Sequence, residues 1–196
     1  MPILKREPDL YPEGLFDLRL ETYPWLVAHV KSRQEKALAR YLQPLGIPYY
    51  LPQREQKIRR AGRSFVSFLP LFPGYLFLRG LDDVRYLALR SNLAAQVIDV
   101  VDQPLLGGEL RHLRTLQESG LPLVSHPFIE PGSAVSITDG PFRGYQGFVL
   151  RAKGRLRIVV SISMLRTSLA VELDREALVP LAARVERFGR ASRTAA

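Results

Sequence analysis

The 196-residue sequence contains no cysteine. That one absence excludes disulfides, thiolate metal sites and cysteine nucleophiles, and it agrees with a reducing compartment, the expected one being the cytoplasm. Long apolar runs are missing too. None nears the roughly 18 residues that a membrane span requires, so no membrane partner is expected. The stretch Met1–Pro12 has no apolar core of the secretory kind, and residues 1–22 read as a flexible leader. Histidine is scarce: His29, His112 and His126 are too scattered along the chain to compose a metal site. Carboxylates do not fill the gap. Asp82-Asp83 is better placed to open a helix than to catalyse, and neither it nor the Asp99/Asp102 pair has a nucleophile or phosphate loop beside it. No enzyme, cofactor or metal is expected.

What is abundant is positive charge. Lys and Arg number 28 against 19 acidic residues, a net charge of +9. A surplus of this size favours a polyanionic partner. It is unevenly placed: Arg54, Lys57, Arg59, Arg60 and Arg63 stand against Glu55 alone, and Arg184, Arg187, Arg190 and Arg193 stand against Glu186. The composition as a whole, 46% hydrophobic and 24% charged, is that of a globular protein.

The apolar pattern alternates between periods. Trp25–Val30 is short and rich in strand formers. Ala37, Leu38, Tyr41 and Leu42 recur at helical spacing, with Ser32 as a candidate N-cap and Pro44-Leu-Gly46 as the stop. Ile47–Ile58 resumes strand character, residues 59–62 supply a turn, and Ser64–Leu69 returns, which makes a basic β-hairpin. The second half of Leu69–Arg79 is continuously apolar, as expected at the centre of a sheet covered on both faces. A helix over Asp82–Asn92, a strand over Ala95–Val101, a turn at Gly107-Gly108 and a helix over Gly108–Ser119 follow. Residues 23–119 thus predict one α/β sandwich, and residues 120–129, with two prolines, a linker.

Beyond it the grammar changes to short strands with frequent turns: Ala134–Thr138, Gly147–Ala152, Arg155–Ile162, Ser168–Leu173 and Ala177–Pro180. Five such strands over residues 130–181 predict a small SH3-like barrel, followed by a basic tail, 182–196. In Thr138–Gly147, Asp139-Gly140 begins a tight turn and Pro141 fixes the dihedral after it. Phe142 and Tyr145 on such a turn make a docking patch, the alternative being that Phe142 caps the barrel bottom.

Glu130-Pro-Gly through Val171-Glu-Leu-Asp174 resembles the KOW domain of the NusG family. Trp25-Leu-Val and Leu71-Phe-Pro-Gly-Tyr-Leu-Phe77 are similar to the family's N-terminal NGN domain. The resemblance implies an α+β architecture: an NGN α/β sandwich, its antiparallel sheet flanked by helices, linked to an SH3-like KOW barrel. It also implies a monomeric transcription elongation and antitermination factor. On that reading Trp25, Phe72, Tyr75 and Phe77 meet the clamp helices of the largest RNA polymerase subunit, with Phe77 a core residue in the alternative. Lys57, Arg59, Arg60 and Arg63 lie by upstream or non-template DNA, with Lys31, Arg33 and Gln34 as candidate base readers. Phe142, Tyr145 and Ile162 serve a partner of the KOW domain, such as Rho or a small-subunit ribosomal protein. The loop Ser161–Ser168 departs from the general factor's pattern. Together with the hairpin it suggests a specialised paralogue of the RfaH or polysaccharide-operon kind, though with a stable barrel, since its strands are β-branched or alternating. The competing class is a ribosome- or RNA-binding KOW protein linked to translation.

Overall fold

The computed structural model describes residues 5–60, 62–119, 124–127, 134–137, 146–152, 155–162, 165, 167–172 and 178–180. A five-stranded antiparallel sheet is built from β1 (Leu10–Tyr11), β3 (Tyr49–Tyr50), β6 (Tyr75–Arg79), β2 (Trp25–Val30) and β7 (Ala94–Asp99), in that order. Strand alternation sends successive residues of β2 to opposite faces. Leu26, Ala28 and Val30 join a core with Leu38 and Leu42 of α1 (Glu35–Leu42) and with Val84 and Ala88 of α2 (Asp82–Arg90). Trp25 and Val27 join a second core with Leu106, Leu110 and Leu113 of α3 (Gln103–Glu118). β6 divides likewise, Leu76 and Leu78 one way and Phe77 the other. Its unbroken apolar run therefore reflects a sheet covered on both sides.

β4 (Gln53–Arg60) and β5 (Arg63–Pro70) form a separate two-stranded ribbon, with Lys57 opposite Val66 and Arg59 opposite Ser64. The C-terminal strands are β8 (Val124–Pro127), β9 (Ala134–Ile137), β10 (Gln146–Ala152), β11 (Arg155–Ile162), β12 (Thr167–Glu172) and β13 (Leu178–Pro180). They make an antiparallel sheet in the order β13-β9-β10-β11-β12-β8. Among the described residues no helix is long and apolar enough to cross a membrane.

Several elements differ from the expectation. The leader is folded from residue 9 onward: β1 pairs with β3, and Leu15 is fully buried. Leu10, Phe16, Leu18 and Leu20 pack on the second core, so burying their apolar surface outweighs the entropy of ordering the segment. Gly107-Gly108 is no turn but lies inside α3, where a Cβ on Gly107 would stand 3.1 Å from the Trp25 indole nitrogen. The glycine is there for close packing. The strand expected over 47–58 splits at Leu51-Pro52 into β3 and β4, the proline lacking the donor a continuous ladder needs. Ser32 does not cap α1; Gln34 precedes the helix. Within the expected linker, Val124–Pro127 pairs with β12.

Candidate functional site

Three of the four aromatic residues expected to meet polymerase, Trp25, Phe72 and Phe77, lie in the second core, and Tyr75 packs against it. Trp25, Phe72 and Phe77 are 1%, 3% and 0% exposed, whereas Tyr75 is only half-buried. The rings form a chain. Phe72 meets Phe77 edge-on at 5.8 Å, Phe77 lies 6.4 Å from Tyr50, and Phe16 bridges Tyr50 (5.3 Å) and Trp25 (5.8 Å). These are separations at which aromatic pairs add to simple area burial. The Tyr50 hydroxyl donates to Gln117 of α3, and burial pushes its pKa well above the usual 10.0, so it is a neutral donor.

The Leu71–Tyr75 turn is held from three sides. The Gly74 amide donates to the Glu35 carboxylate at 2.7 Å, its carbonyl accepts from Val30 N–H at 2.7 Å, and Tyr75 N–H closes onto the Phe72 carbonyl at 3.1 Å. Gly74 has φ +85°, a conformation strained for any residue with a Cβ. Tyr75 thus leaves a rigid turn, and its ring lies 5.4 Å from His29.

Arg79 fixes the far end of the same face. It is 1% exposed, and its guanidinium carbon sits 4.6 Å from the Trp25 ring centroid. Its donors go to main-chain carbonyls: Tyr23, Leu18 at 2.8 Å and Arg19 at 3.2 Å. Burial and the nearby Arg111 cation push its pKa down to about 10, which leaves it charged at neutral pH. Reading the sequence missed Arg79, Tyr50 and Phe16. Phe16 carried a signal, the apolar density of Leu15, Phe16, Leu18 and Leu20. A buried Arg that caps carbonyls leaves none.

The cations divide into two places. Lys57 and Arg59 project from one face of β4, two residues apart and exposed, and Arg63 is exposed at the start of β5. Arg60 is the register partner of Arg63 at the tip. Lys31, Arg33 and Gln34 occupy the β2–α1 connection of the five-stranded sheet instead. There Lys31 Nζ donates to Asn92 Oδ1 at 2.6 Å, and Arg33 adopts φ 62°. Phe142 and Tyr145 lie outside the described residues. Ile162 is fully buried, in the second core with Trp25, Phe72 and Phe77, and Leu165 packs beside it. The aromatic face of the first sheet and the end of β11 therefore share one apolar cluster.

Residues 23–104 match the family model described as transcription termination factor nusG. Among solved structures, one titled "Domain interaction in Thermotoga maritima NusG" is similar at 19% identity and TM-score 0.46, covering 82% of this chain and 98% of that one. Another, "Crystal Structure of MjSpt4:Spt5 complex conformation B", is similar at 15% identity and TM-score 0.25, over 81% and 97%. No curated protein matches the sequence. The matched span runs from Tyr23, before β2, to Pro104 in the first turn of α3, and so takes in every ring of the aromatic chain except Phe16. The likeness to the NusG family model lies in this N-terminal unit.

Proposed function

We propose that the chain is a NusG-type transcription elongation and antitermination factor, in which the aromatic face around Tyr75 binds the clamp helices of RNA polymerase. The observation that carries the reading is the match of residues 23–104 to the NusG model, the span that holds this face. A factor that binds the closed clamp makes that state dominant in proportion to its differential affinity, which lowers pausing and raises processivity. The basic ribbon β4–β5 is assigned to upstream or non-template DNA through phosphate contacts, which are non-specific and sensitive to salt. The C-terminal sheet, read as a KOW barrel, recruits a further partner, and the factor is read as a specialised paralogue serving a subset of operons.

Tyr75 is the informative position. Truncating Trp25, Phe72 or Phe77 empties a core and costs about 3–5 kcal/mol, so lost binding there does not separate unfolding from contact. Tyr75 is half-buried on a turn held by backbone bonds. Tyr75→Ala is expected to keep the fold and to weaken capture by RNA polymerase in a pull-down, with less relief of pausing on a pause-containing template. Polymerase capture by Tyr75→Ala at wild-type strength, or none by the wild type, would sink the reading.

A further inference from the structure

At one end of the five-stranded sheet three neighbouring strands reach a common edge. Trp25 pairs with Arg79, Leu26 with Asp99, and Gly80 N–H donates to the Pro24 carbonyl at 3.0 Å. The residues just beyond, Tyr23, Leu81 and Val101, therefore follow or precede three adjacent strand ends on the same edge of the sheet. They are 40%, 58% and 101% exposed. Leu105, 48% exposed, joins them from the first turn of α3, because Gln103 ties that turn to the Trp25 main chain on both sides. Half of the eight exposed large hydrophobics among the described residues thus gather on one rim. A grouped patch of this kind marks an interaction surface where scattered apolar residues do not.

The rim's charge opposes that of the molecule. Asp82, Asp83 and Asp102 are exposed at the starts of α2 and α3, and Asp99 closes β7. Arg85 reaches Asp99 and, at 3.5 Å, Asp82, which leaves Asp83 and Asp102 without an ion pair among the described residues. In a chain of net charge +9, this is an acidic border around an apolar strip. Its complement is a segment with apolar residues on one side and cations around them.

We propose that this rim is the docking surface for the chain's own residues 181–196. Leu181, Val185 and Phe188 supply apolar side chains at spacings of four and three in the sequence. Arg184, Arg187, Arg190 and Arg193 are interleaved with them, against Glu186 alone. Sixteen residues reach up to about 50 Å when extended. The tail follows Pro180 of the sheet whose Ile162 is buried in the core that also holds Trp25. Tethering raises the local concentration of the tail, so a small apolar strip suffices where a free peptide would need more. When docked, the tail cations are withheld from other anions.

The absence of cysteine makes the test direct. Ser192→Cys in the full chain, carrying a nitroxide, is expected to broaden away the amide signals of Tyr23, Leu81 and Val101 while leaving Leu45, an exposed apolar control in the turn after α1, intact. Val101→Asp changes a fully exposed side chain without touching the core, and Arg184→Glu with Arg187→Glu alters only the tail. Each is expected to restore the lost signals, as is high salt. Rim signals that stay sharp in the labelled wild type overturn the proposal. So does broadening that survives both sets of substitutions, and so does broadening that appears only when labelled and isotope-enriched chains are mixed, which would mean docking between copies.

Discussion

Arg79 carries a full charge into a core and meets it there with carbonyl oxygens and an indole face, with no carboxylate in the set. Replacing it by Met keeps the packing volume but strips the Tyr23, Leu18 and Arg19 carbonyls of their donor. Charged hydrogen bonds lost from buried acceptors predict a destabilisation of about 3 kcal/mol for Arg79→Met, measured by urea denaturation. His112 acts at the other end of the pH scale. Burial, and then the Arg111 cation, lower its pKa from the ordinary 6.5, so the folded state prefers the neutral ring. The unfolded chain takes up that proton near pH 6.5 while the folded chain does not. Unfolding therefore binds a proton below that pH, and stability falls as the solution is acidified through 6.5 toward the depressed folded value. His112→Gln is expected to flatten this slope in denaturation midpoints taken between pH 5 and 7.5.

At the scale of elements, the ribbon β4–β5 stands apart from both larger sheets, and Lys57 and Arg59 share one of its exposed faces. Replacing both by Glu is predicted to weaken DNA binding about tenfold or more and to reduce the salt dependence of affinity by about two phosphate contacts, read by fluorescence anisotropy across a salt series. Tyr75→Ala should leave that titration unchanged. The ribbon, β2, β6 and α2 were all legible in the sequence, because each carries a strong local signal: alternation, an unbroken apolar run, or an acidic helix start. Three things were not. Gly107-Gly108 reads as a turn until the Trp25 indole is seen to need the space inside α3. Pro52 hides the break between β3 and β4 within one β-rich stretch. The segment 9–23 looks loose because its apolar residues have no regular period; what orders them is a tertiary face that only the folded sheet and Arg79 create. The candidate aromatic site was legible as residue types. Its burial was not, since local pattern does not tell which covering element arrives from far along the chain.

For the molecule as a whole, the end of β11 adds to the cover that α3 and Leu15 give the aromatic face. Ile162 is sealed into the core that holds Trp25, Phe72 and Phe77, with Leu165 against it. If polymerase takes this face, as proposed, that contact must yield first, and the measured affinity is reduced by the fraction of chains in which it has yielded. Leu165→Asp is predicted to loosen the contact and to raise polymerase capture in a pull-down, with the double variant Leu165→Asp, Tyr75→Ala losing the gain. The way the amino-terminal segment is fastened has a separate consequence. Residues 7 and 9 are held by ion pairs, Glu7 to Arg40 and Asp9 to Arg114, whose partners are partly open to water, and by neutral bonds from Gln53 and Leu51 to their carbonyls. Residues 15–23 are held by Arg79, through neutral acceptors in a dry interior. Mobile ions screen the first kind of fastening and have little access to the second. Rising ionic strength thus weakens the strap at its outer end, where the bonds from Gln53 and Leu51 are left to hold it, and Leu15–Tyr23 remains seated over Trp25 in brine as in dilute buffer.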